Sequence, residues 1–219
     1  MKPAEKNLFN ALKEETINLH MYWLVYDQLF NGTNKRTELL NATGSHIFYV
    51  LQILLIDELV LSICRLTDPA FSKIKGKQIA NLSLKRLVAK VDGRTHKDLK
   101  RKLNVHVKDL DSAVKDFRTK RNKAIAHKDL ATSMRLRTTV PGITKKQIKS
   151  VSSQIAATLN EFEHYHWNST NVYDMVFLPL GSDGNYLVEV LKRGQWFRDL
   201  EKNNIKLRDL LSVSEYKNA

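Results

Sequence analysis

Three side chains near the middle of the chain can do chemistry together. They are Arg121, Asn122 and His127, within Lys120-Arg121-Asn122-Lys123-Ala124-Ile125-Ala126-His127-Lys128-Asp129. A His moves a proton near neutral pH more readily than any other side chain. An Arg grips a phosphate through two parallel hydrogen bonds and tightens that grip as charge builds. Asn122 adds a neutral hydrogen bond or orients the Arg. These groups suffice for cleaving RNA without a metal. The ribose 2′-hydroxyl must lose a proton and attack the adjacent phosphorus, the phosphorane charge must be held, and the leaving 5′-oxygen must gain a proton. Lys120, Lys123 and Lys128 flank the motif, either as phosphate contacts that position RNA without reading it or as plain solvated lysines.

The motif closes a long helical pattern that begins near Thr95. Leu99, Leu103, Val107, Leu110, Val114 and Phe117 recur every three or four residues, one face of an α-helix. The next position on that seam is Arg121. A guanidinium there is always charged, and leaving it buried and unpaired is costly. Arg121 therefore requires a carboxylate, a second subunit or a ligand phosphate. Asp57 is the preferred supporting acid, because it lies in the apolar helix that the motif helix should pack against. The plainer alternative is that Asp57 or Glu58 merely neutralises Arg121. Arg65, at the end of the same helix, faces the same cleft or caps the helix. His127 alone would often only meet the last carbonyls of its helix. On a straight helix Arg121 and His127 stand about 120° apart around the axis and about 9 Å along it. One helix does not present them as a tight pair, whereas two helices antiparallel across a two-fold axis bring both pairs to one cleft.

An Arg, a small polar residue, a short spacer and a His, at the end of a long helix in a basic, helical chain, resemble the HEPN superfamily. Arg121, Asn122 and His127 match that pattern. The run from Phe48 to Asp68 resembles the preceding core helix of the AbiU-type (abortive-infection) branch, and the likeness covers roughly residues 5–170. The resemblance implies an all-α bundle of four to five main helices, a homodimer with a composite site, and metal-independent RNA cleavage leaving 2′,3′-cyclic phosphate and 5′-hydroxyl ends. It also implies a role in phage defence by abortive infection or as the toxic half of a toxin–antitoxin pair, with an antitoxin or regulatory protein as a further partner. HEPN domains can also lose cleavage and serve as nucleic-acid-binding or scaffold modules, which is the competing expectation.

Charge points the same way. The 219 residues carry a net charge of +13. Residues 1–70 hold 6 Lys/Arg and 8 Asp/Glu, whereas residues 72–109 hold 12 against 3. A one-sided surface of this kind suits a polyanion, RNA above all. No cofactor is expected, and no metal: His164 and His166 are two apart, so they diverge on a helix, with no Cys or third His beside them. Tyr165 and Trp167 can stack on bases or simply pack. The single Cys64 sits within an apolar helix pattern as a small core residue and excludes an intramolecular disulfide framework. The N-terminus lacks the apolar core of a signal peptide. Gln52, Asp57 and Glu58 interrupt the most apolar run, 47–64, so a buried helix is expected there instead of a membrane span. A cytoplasmic setting follows as the default.

Along the chain, a first helix is expected over 4–30, ended by Asn31-Gly32. A short turn is expected at 36–42, then a second long helix over 46–67 with Ser45 as N-cap and Asp68-Pro69 as its stop. Residues 69–82 read as a basic loop, 84–91 as a short helix capped by Ser83, and 95–127 as the motif helix. Ile148, Val151, Ile155, Leu159 and Phe162 form one stripe of a helix over 143–167. The tail reads as two short helices, 185–193 and 196–202. The expected division is a bundle over 1–168 with a C-terminal helical extension, 169–219, packed on it.

Overall fold

The computed structural model describes residues 3–125 and 140–203. Among these the chain forms seven α-helices, one π turn and one antiparallel hairpin. The helices are α1 (Pro3–Phe30), α2 (Asn34–Thr67), α3 (Leu84–Lys90), α4 (Lys97–Ala113), α5 (Lys115–Lys120), α6 (Lys145–Trp167) and α7 (Gly184–Lys202); the π turn is Arg121–Ile125. The hairpin pairs β1 (Phe71–Ile74) with β2 (Lys77–Ala80). The chain is all-α apart from that hairpin.

The chain separates into two compact units, residues 1–24 with 54–177, and residues 25–53 with 178–219. Residues 169–177 go with the first unit because α6 holds them. Asn160 exchanges side-chain hydrogen bonds with the backbone of Asn171 at 2.8 and 2.9 Å. The buried Glu163 accepts from Lys13 at 3.5 Å, from Tyr173 at 3.4 Å and from Asn171.

The core of the first unit follows the expected stripes of α4 and α6, whereas on α1 Phe9 and Thr16 are buried and Ile17 is exposed. Phe9, Leu12, Thr16 and Leu19 line one face of α1, and Leu59, Val60, Ile63 and Cys64 belong to α2. Ile148, Val151, Ile155, Leu159 and Phe162 of α6 are all buried. Leu99, Leu103 and Leu110 of α4 are buried, and α4 packs on α6. The Phe9 and Phe162 rings stack at 5.1 Å between α1 and α6. Burial pushes the Cys64 thiol up to about 11, so it stays protonated and unreactive at neutral pH. In the second unit, Val188 of α7 packs with Leu29 and Leu39. Gly184 starts α7 against Gln28, whose side-chain oxygen accepts its N–H at 2.8 Å. A Cβ at Gly184 would lie 2.9 Å from the Cβ of Gln28, so only glycine allows this approach.

Four local expectations change. The turn at 36–42 and the helix at 46–67 are one run, Asn34–Thr67, bent where Gly44 takes extended torsions (φ −174°, ψ 56°). The basic loop at 69–82 is the hairpin. Its two-residue turn, Lys75-Gly76, has positive φ at both positions (48° and 77°), as a type I′ turn requires. Phe71 gives it a base, with the Arg86 guanidinium 4.2 Å above the ring. The motif helix bends at the buried Val114 (φ −94°, ψ 7°), although i→i−4 bonds of 3.0 Å continue on both sides. The two helices expected at 185–193 and 196–202 are one, α7, capped by Asp183 accepting from the Tyr186 N–H at 2.7 Å.

By length and composition alone, α2 is apolar enough to cross a membrane. Its last turns, from Leu59 on, hold core residues, while Ile47 and Val50 are exposed at 66% and 51%.

Candidate active site

The site is built where α5 meets the C-terminal end of α2. The last carbonyls of a helix lack intrahelical donors and carry the negative end of its dipole. Two arginines one turn apart answer that end. Arg118 donates from Nη2 to the Thr67 carbonyl at 2.8 Å and to Asp111 at 2.9 Å. Asp111 also takes Lys85 at 2.7 Å; burial opposes its charge, but the two cations hold its pKa below the ordinary value. Phe117, wholly buried, anchors α5 immediately before Arg118.

Arg121 follows at the seam position. Its Nη1 donates to both carboxylate oxygens of Asp68, at 2.8 and 2.9 Å. Its Nε donates to the Asn122 side-chain oxygen at 3.0 Å. Burial opposes the charge of Arg121, and the Asp68 carboxylate outweighs it, raising its pKa above the ordinary value. Among the described residues, Nη2 of Arg121 makes no hydrogen bond, while Nη1 and Nε are both engaged.

The carboxylate that satisfies Arg121 is thus Asp68, and neither Asp57 nor Glu58. Glu58 instead accepts from Arg65 at 2.6 Å. Asp57 is half-buried; burial raises its pKa and the Lys120 charge opposes that rise. Asn122 is exposed, and Lys123 is half-buried in the π turn. His127 and Lys128 lie outside the described residues. Because Arg121–Ile125 is π-wound, the spacing estimated for a straight α-helix does not carry across it. Such turns recur at functional sites, where they re-aim side chains.

Beside Asp68 is a hollow of about 450 Å³ lined by Glu15, Arg65, Asp68, Ala80, Asn81 and Leu82. The hairpin supplies its far wall. Asp68 escaped the sequence reading because it registered only as the residue before Pro69. Its position three residues after Arg65, one turn along α2, was the available signal. His164 and His166 do not converge on a ligand: the His166 ring packs against Phe162 at 4.6 Å. Among the described residues no group of three His, Cys, Asp or Glu is placed to hold a metal.

No curated protein and no solved structure matches the chain. The HEPN_AbiU2 family (AbiU2) matches residues 4–187, which is most of the sequence and includes α1 to α6, the hairpin and the whole Arg–Asn–His motif. The chain belongs to the HEPN_AbiU2 family.

Proposed function

We propose that the protein is a metal-independent RNA endonuclease, acting in the cytoplasm in abortive-infection defence or as the toxin of a toxin–antitoxin pair. The observation that carries this reading is the held guanidinium. Asp68 and Asn122 fix Arg121 by Nη1 and Nε and leave Nη2 for a phosphate oxygen. Preorganised donors of this kind stabilise charge that develops in a transition state without reorganising at that moment. In the reaction His127 moves the protons, taking one from the 2′-hydroxyl or giving one to the leaving 5′-oxygen. Arg121 holds the phosphorane charge, and Lys120, Lys123 and Lys128 position the strand. Attack of the 2′-oxygen on phosphorus with loss of the 5′-oxygen leaves a 2′,3′-cyclic phosphate and a 5′-hydroxyl.

A second copy of the chain completes the site in this reading. The test is incubation of the purified protein with total RNA in excess chelator, beside Arg121→Ala and His127→Ala. Discrete cleavage with cyclic phosphate ends, lost in both variants, is the expected result. No cleavage by any of the three, with RNA bound equally, would make the protein a binding module.

A further inference from the structure

Arg65 sits one helical turn before Asp68 on α2 and lines the same hollow. Its hydrogen bonds all leave from one edge. Nε donates to Glu15 at 3.1 Å; Nη2 donates to Glu15 at 2.8 Å, Glu58 at 2.6 Å and Ser62 at 2.9 Å. Nη1 makes no hydrogen bond among the described residues, and the side chain is 47% exposed. Arg65 is thus held through Nε and Nη2 and keeps Nη1 without a hydrogen bond among the described residues, as Arg121 keeps Nη2. The other ionisable groups lining the hollow, Glu15 and Asp68, are both acidic and are each paired with an arginine, Arg65 and Arg121. Asn81 is committed to Pro69 and Ser72 at 2.8 Å each and stiffens the rim. Residues 69–82, which lead away from Asp68, carry Lys73, Lys75 and Lys77 and no acidic residue.

We infer that Arg65 is a second phosphate ligand, and that the hollow beside Asp68 seats a phosphate of the RNA strand next to the one held by Arg121. This rests on the RNA-cleaving reading for its substrate. The plain alternative is a structural tie, since Glu15 belongs to α1 and Arg65 to α2. The two readings differ in sign. Glu15 is needed by a tie, but as a phosphate neighbour it repels the strand.

The test is fluorescence anisotropy of the full chain with a single-stranded RNA carrying 2′-O-methyl groups throughout, which binds but cannot be cut, over a series of salt concentrations. Arg65→Ala should weaken binding by about tenfold at low salt and flatten the logarithmic salt slope by about 0.7, the loss of one phosphate contact. Arg65→Lys should recover part of the affinity, keeping the charge and losing the fork. Glu15→Gln should bind as tightly as the parent or more tightly. Unchanged affinity and slope in Arg65→Ala would overturn the inference. So would a loss in Glu15→Gln as large as that in Arg65→Ala. Should Arg65→Ala fail to fold, the signs of Arg65→Lys and Glu15→Gln decide. Ordinary RNA in chelator is run in parallel. If the parent does not cut it, the nuclease reading fails, while the anisotropy result still settles Arg65.

Discussion

Arg118 donates to the carbonyl of Thr67 at 2.8 Å, and three residues later Arg121 takes the side chain of the very next residue, Asp68. Two consecutive residues at the end of α2 are thus held by two arginines on one face of the motif helix. Arg118 acts on the backbone and sets the height of the helix end. Removing it should leave a carbonyl without its charged donor and let Arg121 drift. Arg118→Ala should cost about 1–2 kcal/mol in a urea titration, the range for hydrogen bonds to charged groups at a partly exposed site. Cleavage should fall as well. Stability and cleavage both unchanged would mean that Arg118 does not brace the site.

Asp68 acts through Arg121. Asp68→Asn keeps the shape and one acceptor but removes the charge that holds the fork. The expected signature is a fall in kcat of about tenfold or more with KM little changed, because the grip on the transition state weakens more than ground-state binding. Asp68→Glu should recover part of kcat. An effect confined to KM would assign Asp68 to strand binding.

His20 is buried, and its Nε2 has no hydrogen-bond partner among the described residues. Burial lowers its pKa from the ordinary 6.5, against the pull of Asp174 and a backbone hydrogen bond with Ser152. Unfolding returns the ring to the ordinary value. Below that value the unfolded chain binds a proton that the folded chain refuses, so stability is present above it and is lost as pH falls. The Tm of the parent should decline more steeply from about pH 7 to about pH 5 than that of His20→Gln. Parallel curves would show that His20 charges freely in the fold.

The Phe162 ring packs on α1 and on the end of its own helix, α6. It stacks on Phe9 at 5.1 Å and meets His166 at 4.6 Å and Trp167 at 6.3 Å. Phe162→Ala should destabilise the first unit by about 3–5 kcal/mol, the cost of lost burial plus the cavity left behind. Urea unfolding measures it, and a loss under about 1 kcal/mol would mean that the site collapses to fill the gap.

The helical stripes were legible because burial imposes a period of 3.6 on residue type. The α6 stripe and the α4 seam appear in the structure at the residues the sequence marks. The need of Arg121 for a partner was legible for the same reason, since a charge broke an apolar series. The partner's identity was not. Asp57 and Glu58 lie within the buried helix and drew the assignment, whereas Asp68 stands just past its end, where only the backbone path brings it to Arg121. The hairpin was hidden because its strands are four residues each and mostly exposed, with no alternation of apolar and polar side chains to read. The π winding at Arg121 leaves no mark on residue type. The bends at Gly44 and Val114 differ in the same way: a glycine signals its own freedom, and a valine in a helix signals nothing.

Both α1 and α2 run from one compact unit into the other, so neither unit is a continuous stretch of chain. This bears on how the protein can be shortened. A fragment ending at Phe177 would keep every arginine discussed above, yet it would strip Val188 and Leu191 from Leu29 and Leu39 and leave that apolar surface bare. Cutting the chain after Phe177 should therefore lower its solubility, and no single cut separates the two units. A smaller version calls for polar replacements at Leu29 and Leu39 together with the cut.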